Sequence, residues 1–126
     1  MMEFKNNKGI FQQIADNICE RILSGDFAPG DKVQSVRQLA SQLGVNQNTI
    51  MRTFLELQHS NIVENRRGIG YFVTETAPET IRDIRKEEFA KDILPAFIQQ
   101  VKLLRITKNE LEPLFNQINQ NEHENK

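Results

Sequence analysis

The sequence predicts a mainly α-helical fold with one small β-hairpin, and three observations carry that expectation. Isoleucines at 10, 14, 18 and 22 recur every fourth residue, which is the period of one helix face. Ser35 to Gln38 and Thr107 to Glu110 each match the Ser/Thr-x-x-Gln/Glu box that opens a helix. Two short β-branched and aromatic runs, Ile62–Asn65 and Tyr71–Thr74, bracket the turn Arg66-Arg67-Gly68-Ile69-Gly70.

The elements follow in order. The first helix spans about Ile10 to Ser24, with Phe11, Ala15 and Leu23 beside the isoleucine stripe and Gly25 as its stop. Cys19 sits between Ala15 and Leu23 at fourfold spacing and reads as a small core residue. Ala28-Pro29-Gly30-Asp31 is a turn, and Lys32-Val33 has room for a very short strand. Ser35 opens a second helix carrying Val36, Leu39, Ala40 and Leu43, which ends at Gly44. Asn46 then caps a third helix with Ile50, Phe54, Leu55 and Leu57 inward. Two short helices joined so tightly form a helix-turn-helix pattern. Followed by a hairpin, it makes a winged helix-turn-helix over residues 1–76.

Ala77-Pro78-Glu79-Thr80 closes that domain, and residues 77–126 return to helical periodicity. Ile81, Ile84, Phe89, Ile93, Leu94, Phe97, Ile98, Val101 and Leu104 form a long apolar stripe interrupted by Pro95. Either the helix kinks at Pro95 or a new helix starts with the proline in its first turn. A last helix follows Thr107 with Leu111, Leu114, Phe115 and Ile118 on one face, and Glu122–Lys126 reads as a disordered polar tail. So short a segment holds too little material for its own core. Ile84, Phe89, Ile93, Leu94, Phe97, Ile98, Val101, Leu111, Leu114 and Phe115 are therefore expected to meet a second copy in a homodimer. The alternative is a monomer whose tail folds back on its own winged domain.

Composition excludes several function classes. The 126 residues include one cysteine and two histidines, so neither an internal disulfide nor a structural zinc site is expected. No apolar run approaches the roughly 18 residues of a membrane span. Met1 to Gly9 lacks the apolar core of a signal peptide, so a soluble, cytoplasmic protein is expected. No nucleophile–base arrangement, phosphate-binding loop or carboxylate pair points to an enzyme, and no cofactor is implied. Formal net charge is −1, yet Lys32 to Val73 holds five basic against two acidic residues. That local excess suits contact with a few phosphates, not a bulk-charge coat on DNA.

Five ordered motifs over Gly9–Val73 resemble the winged-helix domain of the GntR family of bacterial transcription regulators. They are Ile10-Phe11-Gln12-Gln13-Ile14, the run Ile22 to Val33 around Pro29-Gly30-Asp31, Ser35 to Ala40, Gly44 to Ile50, and Arg67 to Val73. The short tail with Leu94-Pro95 resembles the YtrA-type subfamily. The resemblance implies a homodimer joined through the tail helices, acting as a repressor, often of genes for transport systems. It also implies that Arg37 contacts DNA, holding a phosphate or reaching a guanine.

The third helix is expected to enter the major groove by its N-terminal end, where Asn46, Gln47, Asn48 and Thr49 lie. Asn46 also serves as the cap, and Thr49 also supports the turn. Gln47 and Asn48 suit bidentate pairing with adenine. Arg52 is expected on phosphate. Arg66 and Arg67, with the backbone of Gly68 and Gly70, form the expected wing contact. The family often has arginine where Gln47 and Met51 stand and proline where Gln34 stands, so an A·T-rich half-site is expected. The partners implied are double-stranded operator DNA and a second copy, with no membrane. A small-molecule effector has little room, and the sequence names none. A winged helix used only for protein–protein contact is the competing reading.

Overall fold

The computed structural model describes residues 9–124. The polar start Met1–Lys8 and the last two residues of the expected tail lie outside the described residues. The elements run α1 (Ile10–Leu23), α2 (Val36–Leu43), α3 (Gln47–His59), β1 (Val63–Arg66), β2 (Gly70–Val73), α4 (Ala77–Glu88), a π-helical turn (Phe89–Ile93), α5 (Leu94–Leu103) and α6 (Lys108–Glu124). The chain divides into two compact units between Arg85 and Lys86.

In the first unit, the α1 stripe buries Ile14, Ala15, Ile18, Cys19 and Ile22. Ile10, expected in that stripe, is 52% exposed. It is the first residue of the helix and projects past the core. Ala28 to Asp31 forms the expected turn, with the Ala28 N–H donating to Asp31 Oδ2 at 2.8 Å. The short strand at Lys32-Val33 exists as a bridge on the edge of β2. There the Val33 N–H donates to the Tyr71 carbonyl at 2.8 Å and the Val73 N–H to the Asp31 carbonyl at 2.9 Å.

Both halves of the Ser35–Gln38 capping box are made. Ser35 Oγ accepts from the Gln38 N–H at 3.1 Å, and Gln38 Oε1 accepts from the Ser35 N–H at 3.2 Å. Gly44 ends α2 at φ +68°, a left-handed conformation that strains any residue bearing a Cβ. That single residue reverses the chain sharply enough for Asn46 to begin α3. Leu43 and Leu55, expected inward, are exposed. In α3 the inward residues are Ile50, Thr53, Phe54 and Leu57. Leu55 stands one residue, about 100° of helical rotation, beyond Phe54. Thr53 is buried because its hydroxyl is satisfied, donating to the Thr49 carbonyl at 2.9 Å.

β1 and β2 pair antiparallel, Val63 opposite Val73 and Arg66 opposite Gly70. Val63 and Val73 face the core with Val33, Ile50 and Phe54. Ala77 and Ile81 of α4 belong to the same core, each at most 1% exposed. The compact unit runs on to Arg85, past the Ala77–Thr80 stretch read as the close of the winged domain. Arg85 adds a polar tie from α4 to α1, donating to the Asp16 carbonyl at 3.4 Å and approaching Glu20 Oε2 at 3.8 Å.

In the second unit, helical backbone runs through Phe89–Ile93 into α5. The Leu94 N–H donates to the Phe89 carbonyl five residues back, widening the turn just before Pro95. Pro95 then lies in the first turn of α5, where its missing N–H is least felt. Leu104–Ile106 is a tight link with Arg105 at φ +55°. It is closed by the Ile106 N–H on the Val101 carbonyl at 3.0 Å. Thr107 and Glu110 form the second capping box. Pro113 sits inside α6, a feature the periodicity did not flag. The expected disordered tail is corrected in part, because α6 continues helical to Glu124.

Candidate nucleic-acid interface

Burying Ile50, Thr53, Phe54 and Leu57 leaves α3 with one outward stripe. Its N-terminal part consists of Gln47, Asn48, Met51, Arg52 and Leu55, all exposed and spaced at four and one, and Glu56, Gln58 and His59 are exposed after it. The first turn of that stripe carries two free-standing amides. Asn46 precedes it as the cap, its Oδ1 accepting from the Asn48 N–H at 2.6 Å. That oxygen is engaged by the helix end, and the residue itself is exposed. Thr49 is half-buried and lies at the base of the turn.

Two exposed cations stand on α3 and α2. Arg52 lies with its guanidinium 4.3 Å over the ring of Phe11 on α1. An aromatic face holds a guanidinium without consuming its N–H donors. Arg37 is exposed in the first turn of α2 and makes no ion pair among the described residues.

The wing is built just as locally. The Ile69 N–H donates to the Arg66 carbonyl at 2.9 Å and closes the turn. Arg67 and Gly68 stand exposed at its tip. Gly70 has φ +143°, and a Cβ there would meet Lys32 Cε at 2.9 Å. The bare backbone thus lets the Lys32 side chain lie across the wing, adding a third cation to Arg66 and Arg67. Arg66 is held twice. Its Nε and Nη2 donate to Glu64 Oε2 at 3.1 and 3.0 Å, and its guanidinium lies 4.0 Å over Phe72.

Tyr71 ties the wing to α3. Its ring stacks on Phe54 at 4.5 Å and 23°, and its hydroxyl donates to Met51 Sδ at 3.8 Å. Tyr71 and Phe72, neighbours on β2, are both half-buried, one against α3 and the other beneath Arg66. Sequence reasoning missed Lys32, Glu64 and Tyr71 as parts of this surface. The strand parity that sets Glu64 beside Arg66 was available. The Lys32 contact was not, since it depends on a third segment pairing with β2.

The ten residues singled out for DNA divide into groups. Gln47, Asn48 and Arg52 share the α3 stripe; Asn46 and Thr49 shape its start. Arg66, Arg67, Gly68 and Gly70 make the wing, and Arg37 stands on α2. Among the described residues, no group of three or more His, Cys, Asp and Glu is placed to hold a metal ion. Among them, too, no helix is long and apolar enough to cross a membrane.

Comparison with known proteins places this geometry. The profile of the bacterial regulatory proteins of the gntR family matches residues 10–73. The transcriptional regulator YhcF of Bacillus subtilis is 43% identical over 109 residues, covering 86% of this chain and 88% of YhcF. The transcriptional repressor YtrA of the same organism is 32% identical, covering 81% of this chain and 82% of YtrA. A solved GntR-family regulator from Bacteroides thetaiotaomicron superposes with a TM-score of 0.74 at 37% identity, over 90% of this chain and 99% of that one. The outward stripe of α3 is thus the third helix of a helix-turn-helix, and the hairpin is its wing. The chain belongs to the GntR family of bacterial regulators as a YtrA-type member, a DNA-binding transcriptional regulator and not an enzyme.

Proposed function

We propose that this regulator acts as a homodimer on a two-fold symmetric operator and represses transcription there. The observation that carries the reading is the outward stripe of α3, which begins with the exposed amides of Gln47 and Asn48 and continues to Arg52. In the major groove each amide pairs with adenine N6 and N7, so half-sites are A·T-rich. Asn46 and Thr49 set the angle of that turn. Arg37 and Arg52 hold phosphates, and Arg66, Arg67 and Lys32 meet the backbone or minor groove beside the backbone of Gly68 and Gly70. The apolar residues left exposed from Ile84 to Phe115 support a second copy as the missing cover. The repressor assignment draws support from the name of YtrA, and the family resemblance makes transport genes the first targets to examine.

A randomised duplex library, incubated with the protein near physiological salt and sequenced after retention, tests the reading. The expected result is one two-fold symmetric motif, with half-sites about 34 Å apart or a multiple of that. A Gln47→Ala protein should then lose discrimination at particular bases only, by about 1–3 kcal/mol. Retention without any motif, or equal weakening on every duplex, contradicts it.

A further inference from the structure

We propose that Glu64 is a built-in stand-in for a DNA phosphate, and that Arg66 exchanges it for a real phosphate when the wing engages; this rests on the wing contact proposed above. The geometry points to exchange, not permanent pairing. Glu64 and Arg66 are two apart on β1 and therefore share one face of the strand. Both N–H groups on one edge of the guanidinium converge on the same carboxylate oxygen, at 3.1 and 3.0 Å. An oxygen of a phosphodiester has the same charge and acceptor character, and it fits that edge equally well.

Phe72, directly opposite Glu64 in the hairpin, holds the guanidinium plane at 4.0 Å from below. That platform does not depend on which anion takes the edge. The two charged side chains are each about half exposed, 48% and 51%, so the pair is weak enough to open. Arg67, the next residue, makes no ion pair among the described residues. The wing therefore presents Arg67 and Lys32 outright, and Arg66 only where a phosphate sits close enough to displace Glu64. Until then Glu64 neutralises Arg66, which lowers affinity for arbitrary DNA more than for the operator.

The test measures binding of Glu64→Gln, Arg66→Ala, their double variant and Arg67→Ala to the selected operator and to a mixed-sequence duplex, by fluorescence anisotropy across a salt series. Glu64→Ala serves as a second removal of the charge, and thermal unfolding confirms that each variant is folded. Glu64→Gln should tighten binding to the mixed duplex by about threefold to tenfold and narrow the ratio between operator and mixed duplex. Its log–log salt slope should steepen by up to about 0.9, one added phosphate contact. In the Arg66→Ala background the same change should move affinity less than about twofold. Equal tightening in both backgrounds overturns the exchange and leaves only long-range repulsion. No tightening at all also overturns it. If Arg66→Ala and Arg67→Ala each leave binding and salt slope untouched, the wing contact itself is wrong, a result separable from the other two.

Discussion

Ile50 and Phe54, on a helix of the first unit, have no exposed surface; Phe97 and Ile98, on a helix of the second, are 40% and 45% exposed. All four residues are apolar and helical, so propensity does not explain the difference. In the first unit three helices, a hairpin and the start of α4 enclose one core. From Lys86 to Asn119 no residue is buried. Each Leu, Ile or Phe left in water forgoes roughly 1.5–3 kcal/mol of stabilisation. An apolar face of that extent calls for a cover. The contrast teaches that the same helical pattern has two uses, one satisfied within the chain and one that the proposed second copy satisfies.

Substitutions can break this contrast or sharpen it. The largest expected effect is at Phe54, fully buried and stacked on Tyr71. Phe54→Ala should cost about 3–5 kcal/mol in denaturant unfolding of the winged unit. It should also loosen the wing, whose tie to α3 runs through that ring. Next is Phe97→Asp, which places a charge on the uncovered face. It should convert the proposed dimer to monomers in sedimentation while the winged unit keeps its far-ultraviolet signal. Unchanged sedimentation would mean that this face is covered by something other than a second copy.

A third effect is local. Ser35→Ala removes one half of the capping box at α2 and should cost about 1 kcal/mol. The smallest change lies in the other unit, at Arg105. Its φ of +55° is unfavourable for a residue with a Cβ. Arg105→Gly should leave stability unchanged or raise it by up to about 1 kcal/mol, read as a small rise in unfolding temperature. A clear loss would show that the arginine side chain has a contact worth more than the strain.

Features set by neighbours in sequence were legible. Both capping boxes, the turn at Pro29-Gly30-Asp31, the stop at Gly44 and the hairpin all sit where local chemistry puts them. Residues at the margin of a helical stripe were not. Ile10, Leu43 and Leu55 are apolar and close to the right period, yet whether a marginal position is inside depends on which neighbour arrives. Ile81 shows the reverse case, read with the tail stripe but buried in the winged core. The π-helical turn was beyond periodicity, because Pro95 alone allowed both a kink and a new start.

Of the candidate site, the exposed placement of Gln47, Asn48 and Arg52 near the start of α3 was legible in the sequence. The supports were not, since Phe11 under Arg52, Phe72 under Arg66 and Lys32 across Gly70 are contacts between separate segments.

A second copy is proposed to cover the exposed face of the unit beginning at Lys86. Sedimentation equilibrium of the purified chain at micromolar concentration tests it most directly. The expected mass is twice the 14.6 kDa of one chain, falling to a single chain for Phe97→Asp. A wild-type mass of one chain at that concentration would contradict the account.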